Sequence, residues 1–166
     1  MVEKYKNIII DPTQHEYCFT LGELDCYKLK TGRCTFELSE QEYEEESSKC
    51  GHAHYFEGRV GYCRELLNMM IRDNAGTENT GIRGFRNSCG HISFSDGQHR
   101  SCIAKKNKMN ALFFEYLGNN NSSLCGVCSA KEGDSNSKEK FTILNSFKKV
   151  KKKPYGEPIE ILDQDL

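Results

Sequence analysis

His91-Ile92-Ser93-Phe94-Ser95-Asp96-Gly97-Gln98-His99-Arg100-Ser101-Cys102-Ile103-Ala104-Lys105 is the stretch whose reading decides the fold. Residues 91–94 read as a short strand, Ser95-Asp96-Gly97 as a turn, and residues 98–108 as a short helix whose lysines fall toward its C-terminal end, where they complement the helix dipole. Ala111-Leu112-Phe113-Phe114-Glu115-Tyr116-Leu117 follows as a strand of the buried type. Upstream, residues 82–85 form a further short strand, separated from the first by Asn87-Ser88-Cys89-Gly90. Val60, Cys63, Leu66, Leu67, Met70 and Ile71 recur at three- and four-residue intervals, which predicts an amphipathic helix ending near Asp73-Asn74-Ala75-Gly76.

The remainder is arranged around this core. Asn7-Ile8-Ile9-Ile10-Asp11 reads as a strand stopped by Pro12, and residues 16–21 as another. Residues 24–29 and 33–38 read as a hairpin turned by Lys30-Thr31-Gly32. Residues 39–49 make an acidic connection with helical character and no apolar face. Past Cys128, residues 131–140 resemble a linker, residues 141–144 a last strand, and residues 148–166 a basic then acidic tail. The expected organisation is one domain over 1–147, with a β-rich part at 1–58, a core at 59–117 and a Cys-x-x-Cys segment at 118–147. The expected fold class is α+β, a small mixed sheet with a few helices.

A chain of 166 residues can bury about two-thirds of the surface it exposes when unfolded. Mean hydropathy is low at -0.69, but nine Phe and eight Tyr supply enough large apolar groups for a core. No apolar run approaches the roughly 20 residues of a membrane span, and the charged start lacks a signal peptide's apolar stretch. A cytoplasmic protein without a membrane partner is expected. Its nine cysteines, an odd number, then read as reduced thiols or metal ligands rather than a disulfide scaffold.

The turn at 95–97 sets free backbone N–H groups and the positive end of a helix beside the His99 imidazole and the Arg100 guanidinium, the components of an anion site. A plainer reading makes Ser95 and Gln98 a capping box, with Arg100 paired to Glu115 or to the acidic run. Ser95-Asp96-Gly97-Gln98-His99-Arg100-Ser101-Cys102-Ile103-Ala104-Lys105 resembles the turn of the ParB/sulfiredoxin-like superfamily and of DGQHR-domain proteins, over about residues 83–117. The resemblance implies a ParB/sulfiredoxin-like strand–turn–helix–strand core that binds nucleotide phosphates, in a family of DNA-segregation CTPases, a free-serine kinase and sulfinic-acid reductases. It further implies that Gly97, His99 and Arg100 contact phosphate, that Asp96 holds the turn or a metal, and that Gln98 and Ser101 complete the binding turn. Asp96, His99 and Arg100 are then the candidate catalytic residues, and a nucleoside triphosphate with Mg the expected cofactor. The reductases carry a nucleophilic cysteine directly before the His-Arg pair; Gln98 stands there in this chain and argues against that activity. Cys102 reads as buried packing rather than a nucleophile.

Cys125-Gly126-Val127-Cys128 has the spacing of half a tetrahedral zinc site, a structural zinc knuckle. Cys50 with His52, or with His54, is the expected other half, and Cys89 with His91 is the rival pair. Lys148-Lys149-Val150-Lys151-Lys152-Lys153 can neutralise phosphates of a nucleic acid, or serve only as a solubilising tail. The leading functional expectation is a nucleotide- or phosphate-binding protein, engaged in phosphoryl transfer or in nucleotide-gated association with DNA. The alternatives are a zinc-stabilised, non-catalytic nucleic-acid-binding module and, more weakly, a metal-dependent nuclease built on Cys50, His52, His54 and Cys63.

Overall fold

The computed structural model describes residues 6–49 and 57–134. In chain order these form β1 (Lys6–Ile10), β2 (Tyr17–Cys18), α1 (Tyr27–Thr31), a 3-10 turn (Thr35–Glu37), α2 (Glu40–Lys49), α3 (Tyr62–Arg72), β3 (Arg83–Asn87), β4 (Ile92–Asp96), α4 (Gln98–Lys106), β5 (Leu112–Asn120) and α5 (Gly126–Asp134). The architecture is mixed α+β, with one five-stranded sheet in the order β1-β5-β3-β4-β2.

Strand β5 organises the sheet. It pairs antiparallel with β1, setting Ile8 opposite Phe114 and Ile10 opposite Leu112, and parallel with β3 on its other edge. β3 and β4 form an antiparallel hairpin, and β2 adds a short parallel pairing to β4. Because a parallel neighbour cannot be reached by a tight turn, the chain leaves the hairpin through α4 and returns as β5. Gly84 is obligatory where β3 bends: a Cβ there would lie 2.4 Å from the Ser93 carbonyl oxygen and 2.9 Å from the Phe114 ring.

Side-chain alternation along β5 turns Leu112 and Phe114 inward, and both are fully buried. Ile10, Ile92 and, from the helices, Met70, Ile103 and Ala104 complete one core, with Cys63, Leu66 and Leu67 packed at its edge. The three- and four-residue rhythm of α3 thus does what its spacing predicts, except that Ile71 falls on the solvent side. The end of α3 is fastened to the sheet by the Phe113 N–H donated to the Ala75 carbonyl at 2.8 Å.

The first third is less β-rich than expected. Only Tyr17 and Cys18 of residues 16–21 pair as strand. In place of a hairpin at 24–38 there is α1, closed by Gly32 at φ 84° with its N–H on the Lys28 carbonyl, followed by the 3-10 turn. The acidic segment is helical from Glu40 to Lys49, and its start is a reciprocal cap: the Ser39 N–H donates to Glu42 and the Glu42 N–H to the Ser39 hydroxyl. The Arg33 guanidinium first, and Ser39 next, hold the Glu42 carboxyl down at about 2. The expected strand at 141–144 and the tail at 148–166 lie outside the described residues. Among the described residues no helix is long and apolar enough to cross a membrane.

Candidate functional site

Strand β4 ends at Asp96, Gly97 turns the chain at φ 84°, and α4 starts at Gln98. The left-handed turn suits glycine for two reasons. An L side chain there would be strained, and its Cβ would stand 2.8 Å from Ile82 Cα. No side chain caps the helix and its first turn holds no acid, so the capping box from Ser95 to Gln98 does not form. The first-turn N–H groups have no acceptor within the helix itself.

Side chains of the turn go four ways. Asp96 Oδ1 accepts the Gly97 N–H at 2.5 Å and Arg100 Nη2 at 3.1 Å, so Asp96, Gly97 and Arg100 meet at the mouth of the helix. Glu115, the other partner considered for Arg100, is bonded instead to Arg83 at 2.7 Å. Gln98 reaches away to the loop after β2, where its Oε1 accepts the Thr20 N–H at 2.6 Å and its Nε2 donates to the Thr20 hydroxyl at 3.0 Å. His99 is buried, with Nε2 2.8 Å from the Asp25 carbonyl, Nδ1 3.4 Å from Glu57, and its ring edge-on to Tyr62 at 5.1 Å. A carbonyl only accepts, so Nε2 carries the proton. Ser101 points into the core with no exposure, and its hydroxyl has no hydrogen-bond partner among the described residues.

The second assembly is a Cys/His group. In the β3–β4 turn, Gly90 takes φ 83° and donates its N–H to the Asn87 carbonyl, bringing Cys89 and His91 to one side of a tight knuckle. Asn87 holds the base of this turn, donating its N–H and its side-chain amide to the His91 carbonyl, each at 2.9 Å. The Ser88 N–H donates to the Ser123 carbonyl at 3.1 Å, which draws in the loop leading to Cys125 and to Cys128 in the first turn of α5. The four ligand atoms of Cys89, His91, Cys125 and Cys128 all lie within 4.8 Å of one another, an arrangement that can hold a metal such as zinc. Burial pushes the Cys125 thiol up to about 12 and raises Cys128 as well. At Cys89 burial acts in the same sense, but hydrogen bonds from the Cys125 N–H and from His91 outweigh it and bring the thiol down to about 6.

Thus Cys125 and Cys128 stand with the rival pair Cys89 and His91; Cys50, His52 and His54 lie outside the described residues. Cys63 and Cys102 are pushed up to about 12 and about 11, by burial first and then by neighbouring thiols including Cys26 and Cys34. Such thiols are poor nucleophiles near neutral pH. Thr20, Asp25, Tyr62 and Gly81, which surround the turn, carry no local sequence signal that ties them to it.

No family model, no curated protein and no solved structure matches the chain. Fold and site define a class: a mixed α+β protein whose five-stranded sheet carries a Cys/His group able to hold a metal ion.

Proposed function

We propose that this protein binds a phosphate-bearing ligand, a nucleotide in the first instance, at the N-terminal end of α4. The observation that carries the reading is the uncapped start of α4 at Gly97 with Arg100 held beside it by Asp96. Helix N-termini attract anions through their free N–H groups and aligned peptide dipoles, and a guanidinium adds a planar, charged donor pair. The Gly97 N–H and Arg100 both donate to the Asp96 carboxylate, so these donors already hold one oxyanion of the chain itself, and a ligand phosphate would take them over in its place. The resemblance of residues 95–105 to the ParB/sulfiredoxin-like turn supports the same reading and favours a nucleoside triphosphate with Mg. In this reading Gly97 and Arg100 meet the ligand, while Gln98 and His99 position the helix through Thr20 and Asp25.

The test is calorimetric titration of the full chain with ATP, CTP and tripolyphosphate. Replacing Arg100 by Ala removes a charge-assisted contact of about 1.5–3 kcal/mol, so affinity is expected to fall roughly tenfold to a hundredfold. The fold should persist, because among the described residues the Arg100 head group hydrogen-bonds only to Asp96 and, at 3.5 Å, to the Gly81 carbonyl. Binding unchanged in R100A, or no binding by the native chain, overturns the reading. Competition by duplex DNA in the same titration would identify a nucleic-acid backbone as the source of the phosphate.

A further inference from the structure

We infer that Cys89, His91 Nδ1, Cys125 and Cys128 form a closed tetrahedral zinc site that staples the β3–β4 hairpin to the start of α5. A zinc ion with Zn–S near 2.3 Å and Zn–N near 2.0–2.1 Å sets its sulfur and nitrogen ligands about 3.5 Å apart. His91 Nδ1 lies 3.2 Å from Cys89 Sγ, 3.4 Å from Cys128 Sγ and 3.7 Å from Cys125 Sγ. One nitrogen close to all three sulfurs is the layout of a shared ion. A disulfide would join two sulfurs and leave the histidine and the third thiol without a purpose.

The backbone beside Cys89 favours a thiolate there. The Cys125 N–H points at Cys89 Sγ at 3.4 Å. Three thiolates with one imidazole make a soft donor set that suits zinc over calcium or magnesium. On binding, each thiol gives its proton to solvent and the imidazole binds through its neutral nitrogen, so the loaded site carries a net charge of about −1. Four protein ligands leave no open position, and Cys125 is buried, so the site is structural rather than catalytic. Its position matters because His91 immediately precedes β4 and Asp96 ends it: the metal anchors the strand that carries the turn at its far end.

The experiment measures metal in the full chain purified without chelator. About one zinc per chain is expected, retained in C50S/H52A and in C63S, and lost in C125S and in C89S. Should the cysteine variants fail to fold, the native chain reloaded with Co²⁺ keeps the question open to decision: a closed site gives the intense visible bands of tetrahedral cobalt and strong sulfur-to-cobalt charge transfer. Metal-free native protein, zinc that leaves with Cys50 and His52 or with Cys63, a disulfide among Cys89, Cys125 and Cys128 in a non-reducing peptide map, or octahedral cobalt bands would each overturn the inference.

Discussion

At Gly97 two costs coincide, and a neighbouring case separates them. Gly97 and Gly32 both sit at φ 84°, yet a Cβ at Gly32 would meet nothing within 4 Å whereas one at Gly97 would meet Ile82 at 2.8–2.9 Å. The left-handed backbone alone costs an L residue about 1–2 kcal/mol, and overpacking a filled site adds about 1–3 kcal/mol. Gly97→Ala is therefore expected to lose about 2–5 kcal/mol in urea unfolding and Gly32→Ala about 1–2 kcal/mol; equal losses would mean that Ile82 gives way freely. The sequence could show that a glycine was needed in this turn. It could not show direction: Asp96, Gln98, His99, Arg100 and Ser101 are consecutive or nearly so, yet only Asp96 and Arg100 remain at the helix mouth. Which way each points depends on Thr20, Asp25 and Tyr62, residues brought there by distant parts of the chain. The Cys/His group illustrates the same limit, since Cys-x-x-Cys is legible by spacing while its partner pair is chosen by the contact between Ser88 and Ser123.

Among the elements, α3 was legible because its apolar period has a physical partner, the core it shares with α4 and β5. Its resolution stops at single residues. Met70 is 1% exposed and Ile71 65%, although both fit the apolar pattern. Met70→Ala is expected to cost about 2–5 kcal/mol through a lost contact surface and a cavity, and Ile71→Ala to stay within about 0.5 kcal/mol. Thermal unfolding of the two variants checks this, and a large loss at Ile71 would assign that side chain a partner. The strands β3, β4 and β5 were legible too, bounded by glycines and polar turns. Residues 24–38 were not. A glycine that closes a short helix and a glycine that turns a hairpin occupy the same positive-φ region, so Gly32 could not distinguish them. What decided for α1 is local hydrogen bonding: the Cys26 N–H on the Gly22 carbonyl, the Thr31 hydroxyl on the Tyr27 carbonyl, and Asp25 on the Gly22 N–H.

For the molecule as a whole, the sheet order β1-β5-β3-β4-β2 required pairings between the two ends of the described chain, which no local pattern encodes. Its consequence is uneven stability. The main core lies between the sheet and α3–α4, while Tyr27, Leu38 and Val60 form a second, smaller cluster with Tyr43. Helix α2 buries no residue of its own. Besides Phe36, polar bonds attach this layer: Thr35 to the Val60 carbonyl at 2.7 Å, Lys106 to Glu37, and above all Arg64. From α3, Arg64 donates to the Thr35 carbonyl at 3.1 Å, the Leu38 carbonyl at 2.9 Å and Glu40 at 2.7 Å, and its guanidinium stacks 4.0 Å from the Tyr43 ring centre. A lysine cannot reproduce that fork.

Arg64→Ala leaves partly buried carbonyls without their charged donor, at about 1.5–3 kcal/mol, with about 0.5–2 kcal/mol more from the aromatic contact. If the layer opens independently, native-state hydrogen exchange in R64A should accelerate by roughly tenfold or more over α1, the 3-10 turn and α2, while amides of β3 and β5 keep their native rates. Arg64→Lys should fall between the two. Uniform acceleration across the sheet would show instead that the layer and the core unfold as one unit. The distinction reaches the turn, because the Asp25 carbonyl that receives His99 Nε2 belongs to the segment leading into α1. Opening of the layer would withdraw that acceptor and loosen the start of α4, so any ligand held at Gly97 and Arg100 should slow exchange in α1 and α2 as well.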